Sequence, residues 1–430
     1  MASANPQSPP NTAASCRDAS DPQSLPVEAA RERILAALQP LPHTQMLALR
    51  AALGRVLGED VVSPIDVPAH TNSAVDGYAV ASADLPERDA VTLRVVATAR
   101  AGHPIAATIG PGECVQIMTG APMPPGTDTA LMQEHVERAD ETITVGAGHR
   151  AGENVRRAGE DLAAGQVAIR SGQRLLPAQL GLLASLGRTE VRVRRRPRVA
   201  FFSTGDELRS VGQSLGPGEI YDSNRYSLYG MIKRLDLELL DFGVIPDQPE
   251  RLREAFETAA RQADAIVTSG GVSVGEADFV KQILAELGQV DFWKIAMKPG
   301  RPFAFGRVDN AWFFGLPGNP VAVMVTFYQF VQPALERLAG LDAAAIHHGP
   351  STLRAPVAHA LRKRPGRTEF VRGVLEVDAH GQWRVRPSGA QGSGILRSMS
   401  EANCFIVLAH EAADVEAGAL VDVQPFAGLV

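Results

Sequence analysis

Apolar residues recur at helical spacing near the start of the chain. Between Val27 and Leu38 they occupy positions 27, 30, 34, 35 and 38, which predicts a helix that ends before Pro40. Residues 1–24 contain almost no large apolar side chains, so they cannot bury enough surface to offset the entropy of ordering. We therefore expect a disordered tail followed by a first helix.

The hydrophobic pattern then changes to short β-rich runs separated by glycine and proline turns. Thr92 to Val96 and Thr142 to Val145 are examples, and runs of this length and composition are typical of strands. We expect an inserted β domain at 66–157.

Helical patterns stand on both sides of this β segment. A further helix is predicted from Pro177 to Leu186, because Gly187 provides a helix stop. The inserted domain would therefore interrupt a discontinuous helical or linker domain made of 25–65 and 158–196.

Strand and helix patterns alternate over 197–345, which predicts a parallel sheet wrapped by helices, the doubly wound α/β architecture. The predicted strands are Val199 to Phe202, Leu239 to Val244, Ala265 to Thr268, Phe292 to Ala296 and Trp312 to Leu316. The predicted helices are Arg225 to Leu235, Pro249 to Ala263, Ala277 to Leu287 and Pro320 to Leu338.

Strand patterns return over 346–430. Phe370 to Val377 and Trp383 to Arg386 are separated by a turn sequence that starts at Asp378, which predicts a hairpin. We expect a C-terminal β domain, either a small barrel or a sandwich.

Composition supports several domains and a small-molecule partner. The 430 residues exceed the roughly 250–300 that one core serves, and 45% hydrophobic with 21% charged residues is ordinary for globular proteins. A formal charge of -6 gives no general attraction to nucleic acid or anionic lipid. The basic run Arg192 to Arg198 is interpreted as a solvated connector.

The cysteine spacing and the hydropathy pattern argue against further classes of protein. The three cysteines are far apart and show no metal-binding spacing, so neither a disulfide framework nor a zinc site is indicated. No apolar run has the length of a membrane span and no secretion signal opens the chain. We expect a cytoplasmic protein.

Loops that directly follow strands are the places to look for ligands in a doubly wound sheet. The loop from Ser269 to Asp278 carries Gly270, Gly271, Ser273 and Gly275, which would let backbone amides approach a phosphate. The alternative is that these glycines only permit a tight turn, but a turn alone does not need the serines and acids of this loop.

Acidic residues fall at or just beyond predicted strand ends: Asp206, Glu207, Asp247 and Asp278. Carboxylates beside a phosphate site indicate a divalent cation, because magnesium bridges carboxylate and phosphate oxygens. Taken singly, each acid could instead be a helix cap or a surface residue.

Cations follow another predicted strand. Lys294, Lys298 and Arg301 lie close together in sequence and could hold an oxyanion such as molybdate or phosphate. A solvated strand end is the alternative.

Seven motifs, taken together and in order, resemble those of the molybdopterin molybdenumtransferase family, which includes the carboxyl-terminal domain of gephyrin. They are Asn72 to Ala79, Met118 to Pro122, Arg157 to Asp161, Ser203 to Glu207, Ser269 to Asp278, Lys298 to Pro302 and Leu316 to Pro320. The resemblance covers the chain from about residue 25 to its end. Val75 and Arg301 depart from the family pattern, where Met and Lys are common.

The resemblance implies an α/β fold of several domains: a doubly wound molybdopterin-binding domain, an interrupted helical segment, an inserted β domain and a C-terminal small β-barrel domain. It also implies an elongated homodimer. In that family the active site lies between the α/β domain of one subunit and the inserted β domain of the other.

The resemblance also assigns roles to residues. It implies catalytic roles for Asp76, Thr119 and Asp161, and a metal site formed by Asp206, Glu207, Asp247 and Asp278. The implied substrate-binding residues are Ser203, Thr204, Gly205, Ser269, Gly270, Gly271, Ser273, Lys294, Lys298, Arg301, Pro317, Pro320, Arg367 and Ser393.

The implied activity is insertion of molybdate into the dithiolene of adenylylated molybdopterin, with magnesium-dependent release of AMP. The related adenylyltransferase, which shares the α/β domain, is one alternative and would be a transient partner. A gephyrin-like scaffold is the other. Asp76 and Thr119 lie outside the shared domain and favour the insertion step, whereas the choice between molybdate and tungstate stays open.

Overall fold

The structure, a computed structural model, describes residues 23–271, 278–347 and 351–426. The chain divides into two compact units, which we call the α/β unit (described residues 23–43 and 194–426) and the middle unit (Thr44–Val193). Apart from its last two residues, the predicted tail 1–24 lies outside the described residues, so its disorder stays a prediction. The predicted domain boundaries also stay predictions.

A six-stranded sheet forms the centre of the α/β unit. In spatial order its strands are Glu238–Ile245, Arg198–Thr204, Ala265–Ser269, Ala311–Leu316, Pro302–Val308 and Gly288–Lys294. The first four are parallel to one another, whereas the fifth runs antiparallel to both of its neighbours. The doubly wound prediction is confirmed, with one antiparallel strand added.

Alternating side chains of this sheet enter two hydrophobic cores, one on each face. Val199 and Phe201 join the first core, while Ala200 and Phe202 join the second, as the two-residue period of a strand requires. The helices over the first face are Val27–Ala37, Ser223–Arg234, Pro320–Thr326 and Gln332–Leu338. The helices over the second face are Pro249–Gln262 and Asp278–Leu287.

Two elements of this unit differ from the sequence-based prediction. The predicted strand Phe292 to Ala296 begins earlier, at Gly288, and it pairs with the unpredicted strand Pro302–Val308. The long helix predicted from Pro320 to Leu338 is interrupted by a π-helical turn at Phe327–Val331. Buried Gln329 lies in that turn and accepts a 2.8 Å hydrogen bond from Arg31.

The C-terminal β domain is a small barrel. Its strands are Leu353–Pro356, Thr368–Val377, Trp383–Pro387, Cys404–Leu408 and Leu420–Pro425. The predicted hairpin between the second and third strands is confirmed. A bridge between Val357 and Val385 closes the ring of strands, and the strand Met297–Lys298 of the α/β layer adds to it. Two short helices, Ala343–His347 and Arg397–Ser400, flank the barrel strands in sequence.

The middle unit contains a second six-stranded sheet. In spatial order its strands are Thr129–Met132, Gly77–Val80, Glu113–Ile117, Val91–Ala99, Thr142–Val145 and Val136–Ala139. The remaining strands form three short pairs: Asn72–Ser73 with Val155–Arg156, Val61–Val62 with Val167–Ile169, and Thr44–Ala48 with Glu190–Arg194.

The segment predicted to be helical contains short strands as well as two α-helices. Within the middle unit its α-helix is Pro177–Ser185, whereas the helix Val27–Ala37 belongs to the α/β unit. The run Arg192 to Arg198 joins two strands and contains the boundary between the two units, as a connector would. It is only partly solvated, because Val193 is buried and Arg195 forms a 2.8 Å ion pair with Asp264.

Candidate active site

Asp76 lies in the turn between the strands Asn72–Ser73 and Gly77–Val80. Its Oδ1 accepts two hydrogen bonds from Thr119, one from the backbone N at 2.7 Å and one from Oγ1 at 2.8 Å. These bonds, the backbone one first, lower the pKa of the Asp76 carboxyl. Both side chains are exposed, so the turn presents a charged carboxylate in a fixed orientation to solvent.

The two motifs that carry Asp76 and Thr119 are hydrogen-bonded to each other. The backbone N of Gly120 donates to Ser73 O at 2.8 Å, and Ser73 N donates to Ala121 O at 3.0 Å. Gly120 has a φ of +78°, a conformation that favours glycine. The contact between Asp76 and Thr119 therefore rests on backbone pairing as well as on their side chains.

The predicted residue Asp161 lies in a loop beside the segment that leads to Asp76. Its backbone N donates to Val67 O at 3.1 Å, and Ala158 N donates to Thr71 Oγ1 at 3.2 Å. Asp161 is exposed. The Oδ1 of Asn72, in the same segment, is buried and has no hydrogen-bond partner among the described residues.

In the α/β unit, the ends of three parallel strands are in register. Ser203 pairs with Ser269, and Ser269 pairs with Leu316. The loops after these residues therefore start at the same edge of the sheet. A Cβ on Gly270 would lie 2.6 Å from Thr204 O, so a side chain there would collide with the neighbouring strand.

A glycine turn follows the central strand of this edge. Gly270 and Gly271 have φ values of +91° and +68°, and Gly270 N donates to Leu316 O at 3.2 Å. Gly205, after the adjacent strand, has a φ of +149°. The structure brings these predicted glycines together, while Ser273 lies outside the described residues.

Asp222 and Asn224, which the sequence analysis missed, lie at the same edge. Asn224 Nδ2 donates to Ser269 Oγ at 2.8 Å and to Gly318 O at 2.7 Å. Four side-chain atoms in this region are buried without a hydrogen-bond partner among the described residues. They are Ser203 Oγ, Thr204 Oγ1, Asp222 Oδ2 and Asn224 Oδ1. Buried polar groups normally have partners, so this concentration indicates a ligand site.

The predicted metal-binding carboxylates are only partly grouped. Asp206 and Glu207 are exposed, and Asp206 Oδ1 accepts a 3.2 Å hydrogen bond from Asp247 N. Asp278 begins a helix, but its side chain lies outside the described part of the chain. Over the described ranges, no three His, Cys, Asp or Glu side chains form a group suited to a metal ion.

Two of the predicted cations share one buried carboxylate. Lys298 Nζ lies 3.5 Å from Glu369 Oε2, and Arg367 Nε lies 3.7 Å from Glu369 Oε1. Glu369 is 6% exposed, whereas Lys298 is exposed. The strand pairing of Met297–Lys298 with the barrel holds the three side chains together.

The remaining predicted contact residues also lie in the α/β unit. Lys294 ends a strand, and both Lys294 and Arg301 are exposed. Pro317 is buried just after the strand Ala311–Leu316, and Pro320 is the first residue of a helix. The second residue of that helix donates its backbone N–H to Ser393 O at 3.0 Å.

Buried Arg372 holds the loop that contains Ser393, and no local sequence pattern marks this arginine. Its Nε donates to Ser398 Oγ at 3.1 Å, and its guanidinium donates to Gly392 O at 3.0 Å. Burial lowers the pKa of Arg372 to about 10. This arginine therefore fixes the loop against the barrel.

The predicted site residues thus fall into two groups. Asp76, Thr119 and Asp161 belong to the middle unit, and all the others belong to the α/β unit. Backbone hydrogen bonds within each unit help to position the described residues of each group. The catalytic and binding roles of these residues stay predictions.

Family models that match the chain define the class of protein to which it belongs. Residues 200–337 match the model of a probable molybdopterin binding domain, and this range includes the strand ends and the unpaired polar atoms. Residues 25–187 match the MoeA N-terminal region, domains I and II, and 354–426 match the MoeA C-terminal region, domain IV. The α/β unit is therefore built around a molybdopterin-binding fold.

The chain belongs to the molybdopterin molybdenumtransferase family, an enzyme family of the transferase class. The molybdopterin molybdenumtransferase of Haemophilus influenzae is 45% identical over 403 residues, covering 94% of this chain and 98% of the relative. That of Nostoc is 38% identical, covering 85% of each chain. The crystal structure of the molybdopterin biosynthesis moeA protein from Pyrococcus horikoshii has a TM-score of 0.80 at 28% identity, covering 94% of this chain and 100% of the other.

None of the described helices has the length and apolar character needed to cross a membrane.

Proposed function

We propose that the chain catalyses the final step of molybdenum cofactor biosynthesis. In this step molybdate enters the dithiolene of adenylylated molybdopterin and AMP is released. The observation that carries the proposal is the group of four buried polar atoms, unpaired within the described ranges of the chain, at the strand ends of a molybdopterin-binding fold. The family relationship supports the reaction class.

The glycine turn would hold the substrate's phosphates. The Gly270 amide is already bonded to Leu316 O, so the Gly271 amide is the one that would approach the anion, and the missing side chain at Gly271 allows a close approach. The hydroxyls of Ser203 and Thr204 are available to donate to phosphate or ring oxygens. Ser269 supports this edge through its bond with Asn224.

Magnesium would neutralise charge on the phosphoanhydride when it is bound. It usually takes one or two carboxylates and completes its shell with water and substrate phosphates, so the neighbouring Asp206 and Asp247 suit it without a third protein ligand. Glu207 and Asp278 are the other proposed acids. Replacing Asp278 with Ala should raise the magnesium concentration needed for half-maximal turnover, and an unchanged requirement would remove that residue from the site.

The cations would hold the incoming molybdate. Lys298 and Arg367 keep a fixed spacing because both contact buried Glu369, and charge-assisted hydrogen bonds to an oxyanion are strong. Lys294, Arg301 and Ser393 are proposed as additional contacts, while Pro317 and Pro320 shape the loop beside them.

Asp76 would act on the phosphoanhydride or on a water molecule near it. Asp76 is bonded to Thr119 and lies in the same unit as Asp161, which is consistent with a homodimer in which one chain's middle unit completes the other chain's α/β site. We also propose a cytoplasmic location and a transient contact with the adenylyltransferase that supplies the substrate.

Purified protein can test the proposal directly. Adenylylated molybdopterin, molybdate and magnesium should together yield active cofactor and a stoichiometric amount of AMP. Release of AMP without cofactor formation would contradict insertion. Conversion of molybdopterin and ATP into the adenylylated form would instead identify an adenylyltransferase.

A further inference from the structure

Asp222 caps the helix Ser223–Arg234 with only one of its two carboxylate oxygens. The oxygen Oδ1 accepts a 3.0 Å hydrogen bond from Arg225 N, as expected of a residue that precedes a helix. The other oxygen, Oδ2, is buried and has no hydrogen-bond partner among the described residues, and Asp222 as a whole is 2% exposed. The helix cap therefore uses one carboxylate oxygen of Asp222 and does not use the other.

Asn224 presents a second acceptor with a fixed orientation. Its Nδ2 donates to Gly318 O, which can only accept, and to Ser269 Oγ. The amide cannot be reversed without placing two oxygens together. Its Oδ1 must therefore be the atom that lacks a partner among the residues that the structure describes, and Asn224 is 9% exposed.

These two acceptors share the sheet edge with two hydroxyls. Ser203 pairs in register with Ser269, the partner of Asn224, and a Cβ on Gly271 would lie 3.0 Å from Thr204 Oγ1. Ser203 continues the alternation of Val199 and Phe201 on the face that the helix Ser223–Arg234 covers, whereas Thr204 continues that of Ala200 and Phe202 on the other face. The edge thus combines fixed oxygen acceptors with the Ser203 hydroxyl, which can donate or accept.

The chemistry of the acceptors selects the part of a ligand that can bind them. Molybdate and the phosphoanhydride of the substrate have no hydrogen to donate, and these anions, like inorganic phosphate, would be repelled by the carboxylate of Asp222. An unpaired buried acceptor is unfavourable, and an N–H group satisfies it. A pterin carries an amino group and a ring N–H on one edge, and adenine carries an amino group. In both rings these donors stand next to an oxygen or nitrogen acceptor that a hydroxyl can meet.

We propose that Asp222 and Asn224 form the subsite that binds the N–H-bearing aminopyrimidine edge of the substrate's bicyclic ring, beside the phosphate-binding glycine turn. This inference rests on the proposed function, because that function supplies both candidate rings, the pterin and the adenine.

The variant Asp222→Asn tests the subsite with little structural change. Asn keeps the size and the helix-capping oxygen but replaces the unpaired oxygen with an NH2 group. Binding of molybdopterin and of AMP to the intact protein can be measured separately by calorimetry, with inorganic phosphate as a third ligand. We expect roughly 10–100-fold weaker binding of molybdopterin, of AMP or of both, because a buried donor would face a donor. Phosphate should bind at least as well as before.

Two further variants control for structure. Asp342→Asn makes the same change at a helix start whose carboxylate accepts from Ala344 N, and it should leave all three affinities unchanged. Asp222→Ser keeps a capping hydroxyl but removes the free oxygen, and it should weaken the same ring ligand. If Asp222→Asn fails to fold, Asp222→Ser carries the test.

The outcomes separate the alternatives. Loss of molybdopterin affinity alone assigns the pterin to the subsite, and loss of AMP affinity alone assigns the adenine. Unchanged affinity for both overturns the inference. Weakened binding of magnesium alone, with both ring ligands unaffected, also overturns it and indicates a cation site. Wild-type protein that binds the rings but forms no cofactor would contradict the proposed function and leave this subsite standing.

Discussion

At the scale of single residues, the carboxylate of Asp76 is exposed to solvent but is held in one orientation. An exposed carboxylate usually samples several orientations, but Thr119 holds one oxygen of Asp76 with two hydrogen bonds. The same bonds lower its pKa, so the group stays charged at neutral pH. A charge that is oriented before substrate arrives needs no reorganisation during the reaction.

Replacing Asp76 with Asn should slow AMP release roughly a hundredfold. Asn keeps the size and one acceptor but removes the charge, so folding and dimer formation should survive. Substrate binding, which we assign to the α/β unit, should change much less. Single-turnover AMP release measures the effect, and a near-normal rate in the folded variant would show that Asp76 is structural.

Replacing Thr119 with Val should move the acidic limb of the rate profile to higher pH. The wild-type pKa is depressed, so the carboxylate remains ionised as pH falls to below its ordinary titration range. Val removes one of the two donors, the pKa rises toward its ordinary value, and activity is lost at a higher pH. The matched control is Thr127→Val, which removes a hydroxyl that bonds Pro124 O in the same unit. Superimposable profiles for the two variants and the wild type would contradict the assignment.

At the scale of elements, the strand after Asp76 depends on close backbone packing. A Cβ on Gly77 would lie 1.7 Å from Leu131 O, in the strand with which Gly77–Val80 pairs. Only glycine permits this pairing. The strand in turn fixes where the Asp76 turn ends.

Gly77→Ala should therefore destabilise the middle unit by more than about 2 kcal/mol, because backbone atoms cannot yield as a flexible side chain can. Gly181→Ala is the matched substitution in the helix Pro177–Ser185, where a Cβ meets nothing within 4 Å. It should stabilise by about 0.4–1 kcal/mol. Urea unfolding of both variants measures the difference, and equal midpoints would refute the packing argument.

The sequence predicted those elements whose signal is local. The four parallel strands and the hairpin after Val377 have clear hydrophobic runs and turn residues. The strand Pro302–Val308 was missed because Pro302 and Gly306 are unfavourable in strands, and only its two neighbours stabilise it. The π-helical turn depends on the contact of Gln329 with Arg31, about three hundred positions away in sequence, which no local pattern records.

The candidate site was predictable only in part for the same reason. The motifs at Asp76, Ser203 and Ser269 have recognisable composition, and their resemblance to a family placed them in one reaction. Asp222 has the sequence signature of an ordinary helix cap, and that cap exists. Its free oxygen becomes visible only when burial and hydrogen bonds are known together.

At the scale of the whole molecule, the proposed catalytic residues and the proposed binding residues lie in separate compact units. A two-fold symmetric dimer can bring different surfaces of two copies together twice. If each site combines residues from the two chains of such a dimer, a dimer of two different variants should have one intact site.

Mixing two inactive variants should restore activity. If Asp76→Asn and Asp247→Asn chains are refolded together, half of the dimers are mixed. In each mixed dimer one site carries both changes and the other carries none. Restored activity should approach roughly a quarter of the wild-type value, measured as cofactor formed per chain. Mixtures no more active than the separate parents, or a fully active monomer by light scattering, would place each site within one chain.

The polar atoms at the sheet edge that have no partner among the described residues also affect thermal stability. A hydroxyl buried without a partner lowers the stability of the empty protein, and a bound ligand restores what is missing. Ser203→Ala should therefore raise the melting temperature of the empty chain slightly while reducing the additional rise that molybdopterin produces. Selection for thermal stability alone would replace these buried polar side chains with apolar ones. The sheet edge would then lose the groups that bind the ligand. At this edge of the sheet, substitutions that raise thermal stability would therefore weaken ligand binding.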